Sequence, residues 1–344
     1  TGTLMKGYIT DTFHNIGWCI GHDNPLFPYS FTRDTKRFLD EFGTYQFCST
    51  QFGDTLSEGR AKLIPEVSNL NRFWKILSTF TIRRLKPDMV KLPPKYRKLI
   101  SLEMHPDQQA RYEYISGEAK KAIDRELRKS DEEINMGVIS KHLWNLRFAA
   151  TIPCDLPLDQ NPKLNKIVEI IKQVQSQGEK AIVFSGLREM QKAITVRLNQ
   201  EGIENMPIFA STAPQKRLAK IEEFSSNGHV ALVAGLNVLN RGFTITAANH
   251  VIITDIEYSP EATEQAESRS HRTGQGKPVN IYYLFADGTI DQDIYRKIRQ
   301  KQAAIGNAID MKARFETTAD LLKKASCNIQ LELAKDLVKG KPAE

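Results

Sequence analysis

Between residues 161 and 290, short apolar runs alternate with segments of helical period. Ala181-Ile182-Val183-Phe184 is uniformly apolar, as expected of a parallel strand covered on both faces. Four further strands are predicted at 206–209, 230–234, 251–254 and 279–285. Leu164, Ile167, Val168, Ile171 and Val174 recur at helical spacing after Asn161-Pro162, a cap and first-turn proline, and Gly178 stops that helix. Further helices are predicted from Ser185 to Gly202, at 214–224 and, more loosely, near 239–242. This alternation predicts a parallel sheet with helices on both faces. Ligands of such sheets gather at the carboxyl ends of the strands, where Ser185, Ser211, Gly235 and Asp255 fall.

Other stretches carry different patterns. Residues 5–80 hold scattered aromatics (Phe13, Trp18, Phe27, Phe31, Phe38, Phe42, Phe47, Trp74), read as core, with Phe38, Leu39 and Phe42 spaced for a helix face. Residues 96–102 alternate as a strand does. Tyr112, Ile115, Ala119, Ile123 and Leu127 mark a long amphipathic helix over 106–129, and a second is predicted around 139–149. Ile294, Ile298, Ala304, Ile305 and Ile309 fit another helix, 315–339 one or two more, and a short disordered tail is expected after Gly340.

Composition narrows the class. The 344 residues carry a formal charge of +7, which favours an anionic partner without naming it. Between 82 and 98 there are seven Lys or Arg against one Asp, so this proline-broken stretch is either a soluble linker or a phosphate-contacting one. Cys19, Cys48, Cys154 and Cys327 make no Cys-x-x-Cys pair and read as reduced thiols of an intracellular protein. No apolar run reaches membrane-spanning length.

The most informative stretch is Gln265-Ala-Glu-Ser-Arg-Ser-His-Arg-Thr-Gly-Gln275. Ser259 and Pro260 read as the cap and first turn of a helix on which Gln265 and Arg269 lie one turn apart. Arg272 follows three residues later, and Gly274 ends the element. Two guanidinium groups and a carboxamide at a helix end suit an anion with several oxygens. The bland alternative is a solvated basic helix end.

The pattern Gln-Ala-x-x-x-Arg-x-His-Arg-x-Gly-Gln resembles the last motif of the Swi/Snf-type DNA translocases of helicase superfamily two. The resemblance runs with interruptions from residue 1 to about 305 and is strongest over 161–290. Thr1-Gly2-Thr3, with Asp11 and Phe13, is similar to the end of that family's first RecA-like lobe, although Leu4 replaces a proline. Arg83-Arg84-x-Lys86 and Leu92-Pro93-Pro94-Lys95 resemble the joint between lobes, and Leu146-Arg147 before Pro153 the second helical protrusion. Phe184-Ser185 and Ser211-Thr212 with Arg217 resemble nucleic-acid-contacting segments, though Thr212 equally suits a cap on the helix that Pro214 begins. Asp287-Gly288-Thr289-Ile290 resembles the lead-in to a bracing helix.

The resemblance implies an α/β chain with a RecA-like parallel sheet (a P-loop NTPase-like helicase C-terminal lobe), helical protrusions and C-terminal helices. The implied divisions are 1–80, the end of the first lobe and a protrusion; 81–98, a basic linker; 99–160, the second protrusion; 161–290, the helicase C-terminal lobe; and 291–344, bracing and C-terminal helices. ATP and Mg2+ would bind mainly on a first lobe that is nearly all missing. The sequence holds no Gly-x-x-x-x-Gly-Lys loop followed by Ser or Thr, and Asp131-Glu132-Glu133 follows no apolar strand. Arg269 and Arg272 would serve as arginine fingers with Gln265 positioning one of them or the attacking water. Gly242 and Gln275 would join them at ATP. Arg83, Arg84, Lys86, Ser185, Ser211, Thr212, Arg217, Asn237 and Arg241 would face double-stranded DNA, with a DNA-bound protein as a further candidate partner.

One stretch departs from the family. Where it reads Ser-Thr-Lys-Ala-Gly-Gly-Leu-Gly, this chain has Gly235-Leu-Asn-Val-Leu-Asn-Arg-Gly242. Asn237 replaces the lysine, and Leu239 and Asn240 replace paired glycines, which restricts close approach of backbone to phosphate. This points to a divergent branch in a bacterial or viral-host cytoplasm or nucleoid, or in the nucleus of a eukaryote. The expected function is that of the C-terminal half of a DNA-dependent ATPase and duplex translocase. The alternatives are an ATPase-inactive DNA-binding or scaffolding module and a helicase lobe of another branch.

Overall fold

The computed structural model describes residues 9–21, 24–48, 51–52, 55–56, 60–80, 91–130, 133–152, 156–239, 243–258, 260–309 and 328–339. They belong to two units, one formed by Thr1–Leu85, Lys121–Ser140 and Arg299–Glu344, the other by Lys86–Lys120 and Lys141–Ile298.

In the first unit, aromatic residues make the core. Helices Ile9–Ile20, Thr35–Phe42 and Leu70–Ser78 contribute Phe13, Phe38, Phe42 and Phe73, which meet Phe27 and Tyr29 from the intervening loop. Phe13 and Phe38 pack in tilted contact at 4.8 Å between ring centroids, and Phe38 and Phe42 at 5.0 Å, within the range where such pairs add to burial. Trp18 departs from the expected core role, being 90% exposed. The unit is also less purely helical than its sequence suggests. Strand β1 (Gly43–Cys48) pairs antiparallel with β4 (Arg60–Val67), and the two-residue strands β2 (Gln51–Phe52) and β3 (Thr55–Leu56) pair between them. Tyr45 and Phe47 in β1, and Leu63, Ile64 and Val67 in β4, are residue types that suit a pleated surface.

The second unit is a six-stranded sheet in the order β5-β10-β9-β6-β8-β7, parallel throughout. Its strands are β5 (Lys95–Leu102), β6 (Ala181–Ser185), β7 (Asn205–Ile208), β8 (Ala231–Gly235), β9 (His250–Ile253) and β10 (Val279–Ala286). β6, β8 and β9 are buried along their whole length, which explains their uninterrupted apolar runs. The five predicted strands are all present. The sixth, β5, was legible as a strand from its alternation, yet its place at the sheet edge beside β10 was not.

Helices Pro162–Ser176 and Arg188–Gln200 bury Leu164, Ile167, Ile171, Met190, Ile194 and Leu198 in the sheet's core cluster. Asn161 caps the first of them, its side chain accepting from the Leu164 amide at 3.0 Å, as the sequence predicted. Helix Pro214–Ser226 also begins where expected, but its cap residue is Ala213, and Thr212 makes no capping bond. The Thr212 hydroxyl instead accepts from the Phe209 amide at 3.1 Å. Residues 236–239 form a turn, and the loose helix expected near 239–242 lies, beyond Leu239, outside the described residues. Helices Pro106–Leu127 and Met136–Thr151 agree with the apolar periodicity, and Ile290–Ile309 and Ile329–Lys339 complete the described helices near the C-terminus.

Candidate functional site

Helix Pro260–Ser270 follows β9 and carries both Gln265 and Arg269. Gly274 closes the turn beyond it at φ +97°, a left-handed conformation that favours glycine. Ser259, the expected cap, lies outside the described residues.

The helix end and the loop 243–248 are fastened to each other by three residues. The Arg269 guanidinium donates to the Phe243 carbonyl at 2.8 Å and, through Nε, to the Gln265 carbonyl at 3.1 Å. Arg272 donates to the same Phe243 carbonyl at 3.0 Å and to Thr244 Oγ1 at 3.0 Å. The Gln275 carboxamide donates to the carbonyls of Thr246, Ala248 and Ser270, at 3.1, 3.1 and 3.2 Å. The Ile245 amide returns a bond to the Arg269 carbonyl at 3.0 Å.

The electrostatics favour an anion here. Arg269 is 6% exposed while Arg272 is exposed, and no carboxylate among the described residues forms an ion pair with Arg272. Burial, and then the neighbouring charge of Arg272, lower the pKa of Arg269. Arg269 nevertheless remains protonated at any physiological pH. Each arginine donates to the loop, and a ligand with several anionic oxygens would relieve the repulsion between them. Gln275 differs from this pair. Its buried carboxamide is committed to backbone, which gives it a loop-holding role rather than an open face for ATP.

A second group stands at the ends of β7 and β8. Ser211 is exposed, and Arg217 reaches back from helix Pro214–Ser226 to the carbonyls of Thr212, Ala210 and Val238 at 3.0, 3.3 and 3.4 Å. Arg217 therefore ties together the loop with Ser211 and the loop with Asn237. Asn237 is exposed, and its amide nitrogen donates to both oxygens of Glu257, at 2.8 and 2.9 Å.

Ser185 departs from its expected place at DNA. Its side chain is fully buried, and its hydroxyl donates to Asp255 at 2.5 Å instead of facing solvent. Asp255 also accepts from the Gly186 amide, Thr254 Oγ1 and Arg147, the last at 3.2 Å. Ser185 is thus one post of a buried network that fixes the carboxyl ends of β6 and β9. Arg83, Arg84, Lys86, Arg241 and Gly242 lie outside the described residues.

Sequence reading passed over several residues. Lys163 is buried and donates to Asp291 at 2.6 Å, the Thr254 carbonyl at 2.9 Å and Thr151 Oγ1 at 3.2 Å. Arg147 pairs with Asp255 and stands over the Tyr258 ring at 5.1 Å. Glu267 lies inside the motif already singled out, but its flanking residues, Ala266 and Ser268, give no local sign of its burial. The other pairs join residues more than a hundred positions apart, which single-sequence periodicity does not connect. Among the described residues, no group of three or more His, Cys, Asp or Glu could hold a metal ion, and no helix is long and apolar enough to cross a membrane.

The parallel sheet is RecA-like, and the helix end that carries the two arginines lies between β9 and β10. The helicase conserved C-terminal domain matches residues 162–274. Together with the relatives and the motif at 265–275, this supports a likeness to the C-terminal half of the Swi/Snf-type proteins of helicase superfamily two. Human "DNA annealing helicase and endonuclease ZRANB3" is 28% identical over 246 residues, 71% of this chain and 22% of that protein. The C-terminal part of the Fun30 ATPase domain shares the fold at a TM-score of 0.55 and 17% identity, covering 72% of this chain and 99% of that one. The Sulfolobus solfataricus SWI2/SNF2 ATPase core, solved with double-stranded DNA, gives 0.52 and 23%, covering 78% and 56%. The chain spans about a quarter of the length of the curated relatives it matches. Those relatives are eukaryotic and lend no support to a bacterial or viral host.

Proposed function

We propose that this chain is the C-terminal half of an ATP-dependent double-stranded-DNA translocase. The carrying observation is that Arg269 and Arg272 converge on one neutral carbonyl, that of Phe243, at a helix end. In this reading the γ-phosphate of ATP, held with Mg2+ by the lobe that bears the phosphate loop, meets these two guanidinium groups. Water attacks the γ-phosphorus as its bond to the β,γ-bridging oxygen breaks, releasing ADP and phosphate. Arg269 and Arg272 stabilise the charge on the transferring group, a contribution of roughly 10³–10⁵ in rate for arginine fingers. Gln265, one turn before Arg269, orients that arginine or the water.

The DNA side of the reading rests on Ser211, Thr212 and Asn237 at the ends of β7 and β8, braced by Arg217. Arg241 and the basic 82–98 stretch add charge. Contacts of this kind grip the backbone without reading sequence. Closure of the lobes around each ATP would advance the grip, and a DNA-bound protein is the natural obstacle to be moved. In this reading the protein works on duplex DNA inside the cell.

A second reading, a DNA-binding scaffold without ATP turnover, is favoured by one observation. Asn237, which stands where the family has lysine, is held by the Glu257 carboxylate. ATP hydrolysis by the full-length protein, with and without duplex DNA, separates the two. DNA-stimulated turnover supports the motor; DNA binding with no turnover supports the scaffold.

A further inference from the structure

Glu267 precedes Arg269 by two residues on helix Pro260–Ser270, and only 2% of its side chain is exposed. It accepts from four donors. Arg97 contributes Nε at 2.6 Å and Nη2 at 2.7 Å, Lys95 its ammonium at 2.8 Å, and Tyr283 its hydroxyl at 2.6 Å. Lys95 and Arg97 lie on β5, and Tyr283 on its neighbour β10. Just beyond Arg269, His271 Nε2 bonds the Pro93 carbonyl at 2.8 Å, and the Val279 amide bonds that of Pro94 at 3.0 Å. Residues 93–97 are therefore attached to the helix on both sides of Arg269, while Arg269 and Arg272 reach the loop 243–248.

Energetics argue against a cluster kept for stability alone. Taking a carboxylate such as that of Glu267 from water is costly in general, its partners Lys95 and Arg97 remain part-exposed, and apolar replacements of buried ion pairs often do as well or better. What such a cluster supplies is geometry, because four donors fix both oxygens of Glu267. Burial pushes its carboxyl up, but the Arg97 hydrogen bond and the charges of Lys95 and Arg97 outweigh that and hold it at about 2. The carboxylate is therefore ionised, and the clamp closed, throughout the neutral range.

We propose that Glu267 is a positioning residue for the arginine pair: by clamping helix Pro260–Ser270 to residues 93–97, it sets where Arg269 and Arg272 stand relative to the transferring phosphate. This rests on the proposed ATPase reading. The substrate needs no contact with Glu267. Its carboxylate acts on the reaction by fixing the helix from the side opposite the loop 243–248, and residues 93–97 thereby take part in arranging the site.

The test uses the full-length protein and a double-mutant cycle. Glu267→Gln keeps the shape but removes the charge; it is expected to lower DNA-stimulated kcat by about 10- to 100-fold, the usual effect of misplacing a reacting group by about 1 Å, with KM for ATP within about threefold. Combined with Arg272→Ala, it is expected to cost little beyond Arg272→Ala alone, because it acts through the arginines. Should Glu267→Gln fail to fold, Tyr283→Phe removes a single donor and is expected to give a two- to threefold loss, roughly, with the same non-additivity. Unchanged kcat in whichever variant folds, or losses that multiply with that of Arg272→Ala, would overturn the inference. A wild-type protein with no DNA-stimulated hydrolysis would instead remove the functional reading beneath it.

Discussion

Arg269 and Arg272 donate to the same oxygen, the carbonyl of Phe243, at 2.8 and 3.0 Å. One is buried and the other exposed. The pair is therefore asymmetric in what a substitution would do. Arg272→Ala should change the stability of this chain by less than about 0.5 kcal/mol, as exposed substitutions usually do. Arg269→Ala should cost on the order of 1–3 kcal/mol, because it removes a buried side chain together with its hydrogen bonds to the Phe243 and Gln265 carbonyls. Urea unfolding of the two variants checks the difference, and equal losses would contradict it.

Lys163 and Asp291 form a buried ion pair that also draws in the Thr254 carbonyl and the Ala286 amide. Asp291→Ala strands a buried ammonium and should destabilise the chain by about 3–5 kcal/mol. The exposed pair of Lys166 and Glu169 provides a contrast, for which Lys166→Ala should cost less than about 1 kcal/mol. Denaturant midpoints of the two variants, measured side by side, decide this.

Gly186 is crowded by acid. A Cβ placed there would meet Asp255 Oδ2 at 2.9 Å and Glu257 Oε1 at 3.0 Å. Asp255 cannot retreat without breaking its bonds to Ser185 and Arg147. Gly186→Ala should therefore destabilise the chain by about 1–3 kcal/mol through overpacking. A thermal midpoint equal to wild type would mean that the network gives way more easily than its bonds imply.

Glu267 and Glu179 set the acid limb of the stability curve. Both carboxyls lie near 2 instead of the ordinary 4.5. For Glu179, burial acts upwards and is outweighed by bonds from Asn249, Lys277 and His250. A carboxyl depressed in the folded state contributes stability that is fully present above about pH 4.5 and is lost as pH falls towards 2. For Glu267 the contribution is on the order of 3 kcal/mol. Unfolding free energy followed from pH 6 down to about 2 should fall less steeply in Glu267→Gln than in wild type. Parallel curves would show that this carboxyl titrates alike in both states.

The parts of the fold legible in the sequence are those governed by short periodicity. The apolar run Ala181–Phe184, the Asn161 cap and the stripe from Leu164 to Val174 each declare an element locally. The arginine motif was likewise readable, because Gln265, Arg269 and Arg272 occupy one helix end. What escaped is set by packing between distant segments. β5 alternates visibly, yet only pairing with β10 makes it part of the sheet. Ser185 sits at a strand end as expected, but Asp255, 70 residues on, turns its hydroxyl inward. Thr212 looks like a cap and instead bonds Phe209, since Ala213 takes the cap position. In each case a residue's type was plain and its partner was not.

The most direct test of the arginine assignment is the DNA-stimulated ATPase rate of the full-length protein carrying Arg272→Ala, an exposed position whose loss should leave the fold intact. The account predicts a fall in kcat of roughly 10³-fold or more, with duplex DNA still bound. A variant that binds DNA and hydrolyses ATP at the wild-type rate would show that these arginines do not act on the phosphate.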